Sequence, residues 1–348
     1  MDKKLLKEFA MKSRESLTSL VRAELNRMHI TEDIEWTQRG EQYQAIINGN
    51  NIVLTIEEKS RYDKLQTAVK TEGIKVIVEK AAYTWFNRIV AIRYMELNKM
   101  LPQGKHNEWL GIRVLSDSDS NPDPEILKAS NLRRSDLDLP LNVDAVLKLA
   151  RDEEKFREVL LAVVKKLGTV MPDVFNGDTN SIDFLLPNNL LGAGGFVSET
   201  LKLPTECFDR VEVIGWLYQY YNQAEKDIAM KKKSAVEKDE IPFVTQIFTP
   251  DWIVRYMVEN SLGRYWLERG GDESLAKNWK YLVKSSDAQE VTKTMPNIED
   301  VTFIDPCAGS GHILVYAFEV FYQIYQSLGY TPAAIPEKIL THNLYGLD

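Results

Sequence analysis

Residues 301–311 constrain this chain more than any other segment. They read Val-Thr-Phe-Ile-Asp-Pro-Cys-Ala-Gly-Ser-Gly, and Ile313, Leu314, Ala317, Phe318, Phe321 and Ile324 follow at helical spacing. An apolar, β-branched run ends on an acid, a loop of small residues follows, and a helix leaves it. Strand, glycine loop and helix in that order make the first turn of a nucleotide-type α/β fold. Gly309 and Gly311 permit tight turns and let a ligand approach the backbone without a Cβ in the way. Asp305, at the strand end, can receive a ligand ammonium.

That chemistry narrows the ligand. A dinucleotide loop needs a third glycine and no acid facing the phosphates, and a P-loop needs Gly-Lys-Ser/Thr, which is absent here. The amino-acid end of S-adenosylmethionine (SAM) fits the acid and the glycines better. Leu344-Tyr345-Gly346-Leu347-Asp348 reads as a second short strand ending in an acid, with a short helix around Pro336 to His342 filling the gap. An acid there holds ribose hydroxyls in nucleotide folds. Taken alone Asp348 is equally an exposed acid; beside Asp305 and the loop it reads as the ribose ligand. Upstream, Phe248-Thr249-Pro250-Asp251 precedes Ile253, Val254, Met257 and Val258. Thr suits an N-cap and Pro a first helical position, as at the start of many helices.

The rest of the chain is mostly helical in pattern. Residues 3–26 are amphipathic, and Tyr43–Ile47 and Ile52–Ile56 flank Asn48-Gly49-Asn50-Asn51 as a β-hairpin. Helices are expected over 59–71, 74–99, 123–131, 142–168 and 209–229. The helix through 79–98 is apolar on more than one side and should be central. A buried ion pair of Arg88 with Glu96 would account for Asn87-Arg88 in so apolar a helix. Gly192-Ala193-Gly194-Gly195 reads as a turn, and 231–240 as a solvated linker. The expected architecture is therefore α+β. A mostly α domain over 1–240 (helix plus β-hairpin to 58, helical from 59) precedes the start of an α/β, Rossmann-like SAM domain over 241–348, with an incomplete sheet.

Composition sets limits. The net charge is −8, and residues 241–348 hold 8 basic against 13 acidic residues. Neither part is basic, whereas a protein that grips duplex DNA alone carries a positive footprint. A DNA-gripping surface is then a local patch or lies beyond this sequence. Cys207 and Cys307 are too few for a disulfide framework, which fits a cytoplasmic protein. No apolar run reaches membrane-spanning length, and the four histidines show no metal-ligand spacing, so no membrane and no metal site are expected.

Together these segments resemble the γ-order DNA adenine methyltransferases. Thr249-Pro250, with Phe248 before it, is similar to the motif that precedes the SAM loop there. Asp305-Pro306-Cys307-Ala308-Gly309-Ser310-Gly311, with His312 after it, is similar to the loop itself, although Cys307 and Ala308 stand in the reverse of the usual order. Asp348 matches the ribose acid. Tyr83 to Arg88, Ile214 to Tyr220 and Val244 to Arg264 further resemble the PglX family, the adenine methyltransferases of BREX phage-exclusion systems, with type IIG restriction-modification enzymes as close relatives. The resemblance implies methyl transfer from SAM to adenine N6 in a short, non-palindromic site of double-stranded DNA, on a base flipped out of the stack. It implies other phage-defence proteins or phage-encoded inhibitors as partners. Such enzymes use an Asn/Asp-Pro-Pro-Tyr/Phe segment and a target-recognition domain. The sequence has no Pro-Pro dipeptide, and Asn121-Pro122-Asp123-Pro124 lacks the doublet. The chain is therefore expected to be the N-terminal part of a larger enzyme, inactive by itself.

Two other readings compete. A nuclease of a restriction-modification fusion holds magnesium with an Asp and a Glu-x-Lys on adjacent strands; Asp33 and Glu57-Glu58-Lys59 are the candidates. Alternatively, residues 1–240 form a non-enzymatic docking module.

Overall fold

The computed structural model describes residues 2–47, 49–118, 123–175, 178–232, 235–238, 241–245, 248–283 and 294–347. The chain is α+β and divides into two compact units, Met1–Ala224 and Glu225–Asp348. No helix among the described residues is long and apolar enough to cross a membrane.

The first unit opens with helix α1 (Lys3–Arg27), whose first turn is capped by the Asp2 carboxylate accepting the Lys4 and Leu5 N–H groups. A three-stranded antiparallel sheet follows: β1 (Thr37–Arg39), β2 (Gln42–Ile47) and β3 (Asn50–Thr55). Ile47 pairs with Asn50 and Ile46 with Asn51, so Asn50 and Asn51 belong to β3. The expected four-residue turn is too long, because two-residue turns match the right-handed twist of the strands. Thr55 then starts α2 (Ile56–Glu72) through a capping box: its hydroxyl accepts the Glu58 N–H while the Glu58 carboxylate accepts the Thr55 N–H.

Helix α3 (Ile74–Leu97) is the centre of this unit, as its apolar surface predicts, with Trp85, Phe86, Ile89 and Ile92 all buried. Phe86 meets Phe9, Phe196 and Tyr221, at ring-centroid distances of 6.2, 5.6 and 4.6 Å. Arg88 does not pair with Glu96. Its guanidinium donates to Asp183 at 2.9 Å and to the Phe175 carbonyl at 2.8 Å. Glu96 instead accepts from Arg93 at 2.6 Å and from the Val114 and Leu115 N–H groups. Eight residues along a helix separate Arg88 from Glu96 by about 12 Å, whereas Arg93, three residues away, is within reach.

The helix expected over 142–168 is two: Val143–Leu147, and α4 (Asp152–Val170). Arg151 is extended, and Asp152, Glu153 and Glu154 start α4 with three acids where the helix dipole favours them. The segment 123–131 is likewise split, into a 3-10 turn Glu125–Leu127 and a short helix Ala129–Leu132. Helix α5 (Glu212–Tyr221) packs on α1 and α3.

In the second unit, α6 (Asp251–Val258) runs on through a π-turn, Glu259–Gly263. Strand β4 (Phe303–Asp305) leads through the glycine loop into α7 (His312–Ser327). A short helix α8 (Ile335–Lys338), continued by a π-turn to Asn343, then delivers β5 (Leu344–Gly346). β4 and β5 pair in parallel, Phe303 opposite Leu344 and Asp305 opposite Gly346. Val320, Phe321 and Ile324 of α7 share a buried core with Val254, Val258 and Trp266.

Candidate functional site: the glycine loop after β4

The loop between β4 and α7 is shaped by two left-handed residues, Gly309 (φ +52°) and Gly311 (φ +75°). L side chains resist that conformation. A Cβ at either position would meet no atom within 4 Å, so the loop faces open space rather than protein. Its frame comes from β5. The Leu347 N–H donates to the Asp305 carbonyl at 2.9 Å, and the Ala308 N–H to the Leu347 carbonyl at 2.9 Å. Gly346 sits where a Cβ would lie 2.9 Å from Leu314 Cδ1 and 3.3 Å from Ala308 Cβ, so strand and loop are in close contact.

Asp305 is 6% exposed. Its Oδ1 accepts the Cys307 N–H at 3.1 Å, and its Oδ2 is buried without a hydrogen-bond partner among the described residues. A buried carboxylate oxygen left without a donor is costly. Pro306, Cys307, Gly309 and Ser310 are exposed along the loop, and Ala308 is half-buried.

The upstream motif is brought to the same place. The His312 ring lies flat on Phe248, with centroids 4.3 Å apart and planes 5° from parallel. His312 Nδ1 is 3.0 Å from the Thr249 carbonyl. A carbonyl only accepts, so Nδ1 carries the proton. Pro250 ends this extended segment as the cap of α6. Phe248, Thr249 and Pro250 thus stand beside the first residue of α7, although over fifty residues of sequence intervene. Asp348 lies outside the described residues, as do Asn121 and Pro122; Leu347, next to Asp348, is the residue stitched to the loop.

A polar network that sequence reading missed fixes α7 to α6. Glu259 is fully buried and accepts the Tyr316 hydroxyl at 2.7 Å and the Tyr281 N–H at 2.5 Å. Burial, then the hydrogen bond to Glu259, raise the Tyr316 hydroxyl well above its ordinary pKa. Arg255 lies over the Tyr316 ring, 4.5 Å from its centroid, and donates to Asp251 at 2.8 Å. The available signal was Asp251, Arg255 and Glu259 spaced by four in an otherwise apolar helix. Asn343 acts similarly below β5. It accepts the Tyr325 hydroxyl at 2.9 Å and donates to the Ile298 and Val301 carbonyls at 2.8 and 2.7 Å, which ties the start of β5 to the approach of β4.

Of the residues considered for a nuclease, Asp33, Glu58 and Lys59 serve other contacts. Glu57, Glu58 and Lys59 lie in the first turn of α2, not on a strand. Glu58 closes the capping box, Lys59 pairs with Asp63 at 2.6 Å, and Asp33 pairs with Lys70 at 2.9 Å. The glycines at 192–195 form a structural turn whose preceding N–H groups, of Leu190 and Leu191, are held by Glu153.

Comparison with known proteins connects this chain to adenine-specific methyltransferases. It is 34% identical to PglX of Lacticaseibacillus casei (strain Zhang) over 385 aligned residues, which cover 100% of this chain and 31% of that protein. It is 37% identical to BrxX of Escherichia coli O9:H4 (strain HS) over 304 residues, 83% of this chain and 24% of that protein. No protein-family model matches the chain. The chain is a relative of the PglX-type adenine-specific methyltransferases, and it spans less than a third of the length of these curated relatives.

Proposed function

We propose that this chain carries the cofactor-binding part of a SAM-dependent adenine-N6 DNA methyltransferase. The observation that carries the reading is Asp305: a buried carboxylate with one oxygen held by its own loop and the other lacking a donor among the described residues, at the foot of an open glycine loop. The ammonium of SAM is such a donor. A sulfonium cofactor of this kind supplies an electrophilic methyl group. The protein's part is to hold it. Asp305 takes the amino-acid end, and Gly309, Ser310 and Gly311 offer backbone without side chains in the way. Phe248, Thr249 and Pro250, pinned by His312, wall the approach from α6, and Pro306, Cys307 and Ala308 keep the loop narrow. Asp348 is proposed as the ribose ligand.

The groups that accept the adenine amino hydrogens and stack on the flipped base are assigned to residues outside this sequence, which has no Pro-Pro dipeptide. Double-stranded DNA is the proposed substrate of the longer protein, and marking of host DNA in a BREX-type phage-defence system its proposed role. The kinship to PglX and BrxX supports both.

The test uses the full-length protein with SAM labelled in its methyl group and unmethylated DNA. Label is expected on adenine N6, and Asp305→Ala should abolish transfer and SAM binding together. Label on cytosine, or SAM binding that survives Asp305→Ala unchanged, would overturn the proposal.

A further inference from the structure

The first unit holds a cavity of about 1060 Å³ between the start of α2, the segment 140–149 and the outer face of α4. Pockets of this size take whole small molecules. Two guanidinium groups line it, Arg61 and Arg157, and neither forms an ion pair among the described residues.

The two arginines converge on one stretch of backbone. Arg61 lies over the Phe184 ring, 5.3 Å from its centroid, and its Nε is buried without a hydrogen-bond partner among the described residues. Arg157 donates to the carbonyl of Leu186, and more weakly to the carbonyl of Asp183 at 3.5 Å and to Asn188 at 3.4 Å. Its partners are neutral oxygens. Burial outweighs the surrounding acids and pulls the Arg157 pKa down, but a guanidinium does not give up its proton in a protein. The charge stays, with Glu24, Glu158 and Asp183 as its electrostatic partners and no carboxylate hydrogen-bonded to it among the described residues.

The acids around the cavity offset it in part, and Asp183 acts electrostatically on both Arg61 and Arg157. Asp183 is already held by Arg88 at 2.9 Å, Glu58 by the Thr55 N–H, and Glu154 by Arg151. Glu57 and Glu158 are exposed at the mouth, where water and salt screen them. Two planar, multi-donor cations, Arg61 and Arg157, line the cavity together with the exposed Lys165. Guanidinium forks of this kind match phosphate oxygens best.

We propose that this cavity binds a phosphate-bearing small molecule, with Arg61 and Arg157 as its ligands. The site lies wholly within the first unit and is independent of the SAM reading. A free polyphosphate and a nucleotide share the recognised group, and the experiment separates them.

The test titrates the chain at fixed ionic strength with pyrophosphate, ATP and adenosine. Binding is followed by calorimetry and by the Nε–H resonances of the arginines. Pyrophosphate or ATP should bind and shift the Arg61 signal. Arg61→Gln should weaken that binding about tenfold, as loss of one charge-assisted contact does. Arg157→Gln should do the same, and Lys75→Gln, away from the cavity, should not. If pyrophosphate equals ATP, the phosphates are the whole ligand; if ATP binds more tightly, the nucleoside fills the remaining volume. The proposal falls if neither phosphate ligand binds at millimolar concentration, if adenosine binds as well as ATP, or if folded Arg61→Gln binds like the wild type.

Discussion

Replacing Tyr316 by phenylalanine removes one hydroxyl, which donates to the Glu259 carboxylate at 2.7 Å. Both partners are shielded: Glu259 is fully buried and Tyr316 is 5% exposed. A hydrogen bond to a charged group contributes about 1.5–3 kcal/mol, so Tyr316→Phe should cost about that much. Glu259 keeps its bond from the Tyr281 N–H, which limits the damage. Glu259→Gln should cost more. Glutamine presents one oxygen and one NH₂ where two donors converge, so one donor faces another, adding about 1–3 kcal/mol for the unsatisfied group. In the double variant the amide turns its oxygen to Tyr281 and the conflict disappears. The two changes are therefore non-additive, with a coupling of about 1 kcal/mol or more. Hydrogen exchange read by mass spectrometry on peptides from 312–327 gives the opening free energy of α7 in each variant. Additivity within about 0.5 kcal/mol would refute the contact as the link between α6 and α7.

Gly346→Ala should destabilise the second unit by about 1–3 kcal/mol, because its Cβ meets Leu314 Cδ1 at 2.9 Å. Adding Leu314→Ala should then cost less than it does in the wild type, as thermal unfolding of the four proteins would show. Glu96→Ala should cost about 3–5 kcal/mol by urea unfolding, since it leaves the buried Arg93 charge with only Ser116. Arg93→Met should cost less, because Glu96 retains the Val114 and Leu115 N–H groups; the reverse order would contradict this account. Burial pushes the Tyr325 hydroxyl up to about 12 from an unfolded value of 10.0. The folded state then binds that proton more tightly, so its stabilising effect is complete below pH 10 and is lost as pH rises through about 12. Tyr325→Phe should flatten stability over that range, and an unchanged alkaline slope would count against it.

The local signals were the readable ones. An apolar, β-branched run, a small-residue loop and apolar residues at helical spacing located β4 and α7, because strand and helix periods are set by the backbone alone. The all-round apolar character of residues 79–98 foretold the central helix. Helix interruptions were less legible. The break before α4 is announced only by Asp152-Glu153-Glu154, a run of acids that favours a helix start without altering the apolar spacing. The capping box Thr55/Glu58 was also present in the sequence, and the Glu-Glu-Lys string beside it invited a reading as metal ligands instead. Long-range polar partners were not readable at all. Nothing near Arg88 in sequence points to Asp183, ninety-five residues away, and Glu259 finds Tyr316 only because two helices cross. In the candidate site, the loop and its acid were visible as a motif. The stacking of His312 on Phe248 and the clamp from Leu347 depend on the closed fold.

The parallel pairing of β4 and β5 has a consequence for folding order. Unlike a hairpin, it closes a loop of roughly forty residues, whose entropy must be lost before the pairing returns any stability. Forming α7 and the π-turn before β5 shortens the chain that this closure must span. Leu347 reaches the backbone on either side of Cys307 only when the strands pair, so the glycine loop takes its final shape at the end of the sequence of events, not when its own residues leave the ribosome. Until β5 docks, Asp305 is an ordinary hydrated acid. The closed form of the loop is in this sense a late folding product.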